Sequence, residues 1–125
     1  MSEVKHAATW FEIPSTDFNR AREFYGAIFG YELPTYPMGD HEMAFFLCDR
    51  DAVGGAVIHG PGRIPSADGT TVYLYAGDDL STVLDKIEGA GGTVILPKIK
   101  VTDEIGHIAM FIDSEGNKVA LHSRG

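Results

Sequence analysis

Apolar and polar positions alternate along two short segments near the end of the chain, Gly106–Ile112 and Lys118–His122, and this pattern predicts strands. The polar stretch Asp113–Asn117 between them predicts a turn. An earlier pair of strands is predicted at Met43–Cys48 and Gly55–His59. Each half of the chain therefore closes on two strands, and the last strand of each half ends in a histidine.

Two helices are predicted at matching places in the two halves. Ser15-Thr16-Asp17 supplies capping side chains for the first helix, which is expected to run to Phe29, and Gly77-Asp78-Asp79 caps the second. Asp17 and Asp79 are 62 positions apart, and the same offset aligns Phe29-Gly30 with Gly91-Gly92. Further strands are predicted at Ala7–Pro14, Tyr31–Tyr36, Thr71–Tyr75 and Thr93–Leu96, with loops at 37–42 and 102–106.

This order predicts an α+β fold of two tandem βαβββ modules, with the helices outside a curled, eight-stranded mixed sheet that surrounds a cavity. Module one covers about residues 5–60, a connector follows at about 60–69, and module two covers about 70–125, all within a single domain, 1–125.

Strand alternation predicts which side chains point towards the helices and which towards the cavity. The expected helix side consists of apolar residues: Phe11, Ile13, Ala56, Ile58, Ile108, Met110, Ile112, Val119 and Leu121. The expected cavity side mixes polar and apolar residues: Trp10, Glu12, Val57, His59, His107, Ala109, Phe111, Ala120 and His122. Tyr73, Tyr75 and Cys48 are expected in the core.

Charge and cysteine content narrow the range of partners. The net charge is −8, and the Lys and Arg residues are scattered, which argues against nucleic acid or an anionic membrane as a partner. A single cysteine excludes an internal disulfide framework and fits a reducing compartment. Residues 1–6 contain no apolar run typical of a signal peptide, and no later run is long enough to span a membrane. These features predict a cytoplasmic protein.

Four segments carry a resemblance to a known family: WFEIPSTDFNRAREFYGAIFG, GTTVYLY, GAGGTVILPK and DSEGNKVALH. They resemble the vicinal oxygen chelate superfamily, which includes glyoxalase I, bleomycin-resistance proteins and extradiol dioxygenases, and are most similar to an uncharacterised glyoxalase-like branch. Because this fold hosts many reactions, the resemblance implies the fold and leaves the reaction open. It also implies a homodimer.

The metal enzymes of this superfamily take His, Gln or Glu ligands from the first and last strand of each module. Those positions fall here on Trp10, on Val57 or His59, on Val72 and on Ala120. Trp, Val and Ala offer no lone pair to a metal. The sequence therefore predicts that the usual four-ligand metal site, and any cofactor, is absent. A relocated divalent-metal site made by Glu12, His59 and His122 is the alternative.

We accordingly expect a glyoxalase-like protein that binds a small organic molecule in the cavity. The predicted ligand-binding residues are Trp10, Val57, His59, His107, Ala120 and His122, with the indole of Trp10 as a flat stacking wall. One alternative is a lyase, isomerase or dioxygenase that uses a relocated metal, or Glu12 as the base that abstracts a proton next to a carbonyl. The other alternative is a non-catalytic interaction module.

Overall fold

The computed structural model describes residues 6–125; residues 1–5, on which the expectation about a signal peptide partly depends, lie outside the described residues. Along the described chain the elements are β1 (Trp10–Pro14), α1 (Phe18–Phe29), β2 (Thr35–Met38), β3 (His41–Phe45), β4 (Gly54–His59), β5 (Tyr73–Tyr75), α2 (Ser81–Leu84), α3 (Ile87–Ala90), β6 (Thr93–Thr102), β7 (Gly106–Ile112) and β8 (Lys118–Ser123). Between residues 6 and 125, no helix combines the length and the apolar character that crossing a bilayer requires.

Helix α1 begins and ends where the local sequence signals place it. The carboxylate of Asp17 accepts a hydrogen bond from the backbone N–H of Arg20 at 3.1 Å, which is N-cap geometry. Gly30 terminates the helix with φ = 79°, a left-handed conformation that glycine adopts without steric cost. The predicted boundaries of this helix are confirmed.

The second helix is interrupted, so the prediction of one continuous helix was wrong. Asp79 accepts the N–H of Ser81 at 2.9 Å and starts the segment as expected. The N–H of Lys86 then bonds to the carbonyl of Val83, three residues back, which tightens the chain between α2 and α3. Val83 is β-branched and Gly89 is a weak helix former. The helix propensity of this segment is therefore low, and a break in the helix costs little.

The strands form two four-stranded mixed sheets. Sheet one has the order β1-β4-β3-β2, and sheet two has the order β5-β8-β7-β6. The first strand of each module pairs in parallel with the last strand of the same module, and the other pairs are antiparallel. The α+β class and the duplicated βαβββ order are confirmed.

Strands extend into two stretches where the sequence predicted no strand. Residues 35–45 form the β2–β3 hairpin, because the turn is confined to Gly39 (φ = 62°) and Asp40. Strand β6 continues through Pro97 to Thr102 instead of stopping at Leu96. Pro97 is tolerated because β6 is an edge strand and its pairing with β7 shifts register between Leu96 and Ile99.

Both modules contribute to one hydrophobic cluster, which we call the main core. From α1, Phe24 and Tyr25 reach Phe111 of sheet two, with ring centroids 5.9 Å and 6.5 Å apart. The cluster also includes Ile13 and Val57 of sheet one. We call the side of each sheet that joins this cluster its helix face, and the other side its far face.

The faces of β4 and β7 are the reverse of those predicted. Ile13 lies directly opposite Val57, and Phe111 lies directly opposite Val119, so these residues share the helix face. On β4 and β7 the far face therefore carries the residues that the sequence placed towards the helices: Ala56, Ile58, Ile108, Met110 and Ile112. Because both sides of these strands are apolar, the residue types alone do not show which side faces the helices. Phe11, Ile13, Val119 and Leu121 face as predicted.

Candidate functional site

A cavity of about 930 Å³ opens where the two modules meet, and we call it the inter-module cavity. Module one contributes the start of β1, the end of α1 and the segment between β3 and β4, whereas module two contributes β5 and α2. Its lining consists of Phe11, Phe29, Tyr31, Phe46, Leu47, Cys48, Asp49, Ala52, Val53, Gly54, Tyr73, Leu74, Tyr75, Ala76, Gly77 and Val83. The lining is thus mainly apolar and aromatic.

Aromatic rings form both walls of this cavity. On the module-one side, Phe46 lies 5.5 Å from Phe11 and 6.1 Å from Phe29, measured between ring centroids. On the module-two side, Tyr73 and Tyr75 are 48% and 78% exposed. Large aromatic side chains left this accessible beside a concavity are typical of a binding site for apolar or planar molecules.

The polar groups of the cavity are few. The hydroxyl oxygen of Tyr31 accepts the backbone N–H of Leu47 at 2.9 Å, which leaves its own proton available to a ligand. Partial burial raises the pKa of Tyr31, so the phenol stays protonated at neutral pH. Asp49 is the only residue with a formal charge among those that line the cavity. Cys48 also lines it and is exposed, so its predicted core position was wrong.

Trp10 and Glu12 share the far face of sheet one, as the sequence predicted. The indole Nε1–H of Trp10 donates to Glu12 at 3.3 Å, and the Arg63 guanidinium forms an ion pair with the same carboxylate. Trp10 also packs edge-on against Phe45 at 5.9 Å. Both carboxylate oxygens of Glu12 therefore already accept hydrogen bonds, one from Trp10 and one from Arg63. The role of Glu12 as a base stays a prediction.

Val57 and His59 were wrongly placed on the face that carries Glu12. Val57 is fully buried in the main core. His59 lies on the helix face, where its Nδ1–H donates to the backbone carbonyl of Ser15 at 3.0 Å, just before α1. Register explains the difference, because the β1–β4 pairing aligns Glu12 with Ala56 rather than with either of these residues.

The three predicted residues of sheet two are also separated. Ala120 and His122 lie on the far face, opposite Tyr73 and Tyr75 respectively. His122 Nε2–H donates to the carbonyl of Ile105 at 2.6 Å. His107 pairs with Ser123 on the other face, so the expectation that His107 and His122 share a side was wrong.

The residues present do not fit the metal site that the resemblance implies. Trp10, Val72 and Ala120 have no donor atom for a metal, and Val57 is in the core. In the described part of the chain, no group of three or more His, Cys, Asp or Glu side chains is arranged to hold an ion. Glu12, His59 and His122 in particular lie on different sheets or faces, so within one chain the relocated site does not form.

None of the seven predicted site residues lines the inter-module cavity. The predicted site residues follow the superfamily's metal positions and the histidines, and they do not include the aromatic residues Phe46, Tyr73 and Tyr75. The predicted core position of the two tyrosines was wrong, because both are exposed. A usable signal was present in Tyr73-Leu74-Tyr75, where strict alternation around a buried leucine places both tyrosines on the other side.

Comparison with known proteins supports the same fold. Residues 8–47 match the family described as bleomycin resistance protein-like N-terminal. A protein of Mycobacterium bovis named "Putative glyoxylase CFP32" is 27% identical over 114 residues, which are 90% of this chain and 43% of that protein. The chain thus spans less than half the length of the first curated relatives that it matches.

Two solved structures illustrate the likeness in three dimensions. Glyoxalase I from Zea mays superposes with a TM-score of 0.65 at 18% identity, covering 93% of this chain and 45% of that one. TnmS3, an antibiotic-binding protein from Streptomyces sp. CB03234, superposes with a TM-score of 0.62 at 22% identity, covering all of both chains. At these identities the superpositions establish the fold, and they leave the ligand and the reaction open.

Proposed function

We propose that this protein, whose resemblance to the vicinal oxygen chelate superfamily is confirmed by its fold and relatives, binds a small organic molecule in the inter-module cavity. The binding uses no four-ligand metal centre, because the side chains at the ligand positions cannot coordinate one. The observation that carries the proposal is the aromatic lining of the cavity, contributed by both modules.

The size and chemistry of the cavity support this function. Its volume of about 930 Å³ is within the range of about 300–1,000 Å³ typical of small-molecule sites, which are mostly apolar with a few polar groups. Phe46, Tyr73 and Tyr75 offer ring faces, and the Tyr31 hydroxyl offers one donor. TnmS3, which shares the fold over its whole length, is named an antibiotic-binding protein, and this name supports a binding role for the present chain.

The neutral fluorescent probe N-phenyl-1-naphthylamine tests the proposal. We expect its fluorescence to rise saturably with protein, and we expect Tyr75→Ala to weaken binding about fivefold, which corresponds to about 1 kcal/mol of ring contact. Tyr36→Ala is the matched control, because Tyr36 is also an exposed tyrosine but does not line the cavity. Absence of saturable binding, or equal losses in both variants, would overturn the proposal.

We further propose that the protein is a homodimer formed through the far face of sheet two. Ile99 and Val101 are 42% and 43% exposed on the edge strand β6. The first curated relatives are more than twice as long as the stretch that matches this chain, and two copies of this chain would have a comparable length. A cytoplasmic location also stays a prediction.

Light scattering tests the homodimer. We expect a mass of twice 13.5 kDa for the wild-type protein and a monomer for Ile99→Asp. Ile64→Asp is the control, because Ile64 is 80% exposed and lies outside both sheets. A monomeric wild-type protein, or a dimer that persists in Ile99→Asp, would contradict this surface.

A further inference from the structure

We propose that the inter-module cavity prefers planar aromatic cations to neutral or anionic molecules of the same size, and that Asp49 is the carboxylate that faces the positive charge. This inference rests on the proposed function, since it concerns the ligand of the same cavity. It is carried by the combination of ring faces and a single acidic side chain in the lining.

The only formal charge among the residues that line the cavity is negative. Asp49 lies in the β3–β4 segment between Cys48 and Arg50, and neither Arg50 nor any other Lys, Arg or His is among the lining residues. Within residues 6–125, the ion pairs of the structure do not include Asp49. The carboxylate therefore has no cationic partner that a ligand would need to displace.

The aromatic walls act in the same direction. The faces of Phe and Tyr rings carry partial negative charge and attract cations that approach within about 6 Å of the ring centroid. Six such rings line the cavity: Phe11, Phe29, Tyr31, Phe46, Tyr73 and Tyr75. A flat cation can stack on these rings with its apolar surface and direct its charge towards Asp49, whereas an anion meets both the carboxylate and the ring faces unfavourably.

The whole molecule reinforces this preference at longer range. The net charge of −8 gives a negative potential that attracts cations and repels anions before contact. That contribution does not depend on any one carboxylate, so the local role of Asp49 must be separated from it by a variant that changes the net charge equally elsewhere.

Three tricyclic probes of similar size distinguish the ligand classes: the cation proflavine, the neutral 9-anthracenemethanol and the anion 9-anthracenecarboxylate. Titrations at about 50 mM NaCl should rank their affinities in that order, and the advantage of the cation should shrink at about 500 mM NaCl because salt screens exposed charges. Asp49→Asn should weaken proflavine about threefold, as for a partly exposed ion pair, and leave the neutral probe unchanged.

Asp51→Asn is the matched control, because Asp51 is exposed, lies two residues away, changes the net charge by the same amount and does not line the cavity. Equal losses of proflavine affinity in Asp49→Asn and Asp51→Asn would overturn the role of Asp49. A neutral probe that binds as tightly as proflavine would overturn the charge preference while leaving the binding function standing. If none of the three probes binds, the proposed function itself fails.

Discussion

Tyr25 of α1 donates a hydrogen bond from its hydroxyl to Asp113 Oδ2 at 2.7 Å, and this contact joins a helix of module one to the β7–β8 turn of module two. Both residues are buried. Burial, together with the neighbouring Asp113 carboxylate, raises the pKa of Tyr25 well above its usual range, so the phenol remains a donor. Asp113 also accepts the backbone N–H groups of Glu115 and Asn117, which fixes the turn.

Removing this hydroxyl should destabilise the protein measurably. We expect Tyr25→Phe to lower the free energy of unfolding by about 1.5–3 kcal/mol, because a buried carboxylate loses a charge-assisted donor. Urea denaturation followed by circular dichroism measures this change. Tyr36→Phe, at an exposed site, should alter the free energy by less than about 0.5 kcal/mol. Equal stability of the Tyr25→Phe variant and the wild type would show that the bond contributes nothing.

The contacts of Glu115 at the same junction predict that the stability of the protein depends on pH. Burial alone would raise the pKa of Glu115, but hydrogen bonds from Arg20, from the backbone N–H groups of Asp17 and Thr16, and from Ser114 lower it below the ordinary 4.5. A carboxyl group with a depressed folded-state pKa stabilises the protein fully above its unfolded pKa. That contribution is lost as the pH falls through the folded value.

We therefore expect Glu115→Gln to destabilise the protein by about 1–2 kcal/mol at neutral pH and to have little effect at strongly acidic pH, where the wild-type carboxyl is also neutral. Denaturation curves at a series of pH values below 4.5 measure the convergence. Glu104→Gln, at an exposed position, is the control and should show no such dependence. A destabilisation by Glu115→Gln that is independent of pH would refute the assignment.

Local signals in the sequence were sufficient for much of the fold. Asp17 and Gly30 bound α1 because capping chemistry and a left-handed glycine act within a few residues. The β7–β8 hairpin was predicted for the same reason, and the duplication of the βαβββ unit followed because these local signals recur at an offset of 62 positions. These elements carry the part of the fold that sequence reasoning recovers.

The candidate site depended on information of a different kind. The face of β4 is set by its register with β1, which is a long-range property, and both sides of β4 and of β7 are apolar. Val57 and His59 were therefore assigned to the wrong side. The inter-module cavity is formed by strand ends and the β3–β4 segment, including Cys48 and Asp49, whose positions follow from the packing of the two modules.

Asp79 should have a pKa well below the ordinary value for an aspartate. Hydrogen bonds from Lys98 and from Ser81 lower the pKa of Asp79 to about 2. Carboxyl chemical shifts followed by NMR across acidic pH measure this value directly. Lys98→Met should raise the pKa of Asp79 towards its ordinary 3.8, though not fully, because the backbone N–H of Ser81 still donates. Lys86→Met is the control, and an unchanged titration of Asp79 in Lys98→Met would contradict the contact.

Two glycines near the end of the second helical segment should respond in opposite directions to the same substitution. A Cβ at Gly89 meets no atom within 4 Å, so Gly89→Ala should stabilise the protein by about 0.5–1 kcal/mol through its better helix propensity. A Cβ at Gly92 would lie 2.8 Å from the carbonyl oxygen of Ile112 and 2.8 Å from the Phe24 ring. Gly92→Ala should therefore destabilise it by about 1–3 kcal/mol. Urea denaturation midpoints measure the stability of both variants under identical conditions. A Gly92→Ala variant as stable as Gly89→Ala would contradict the close approach of Gly92 to Ile112 of β7 and Phe24 of α1.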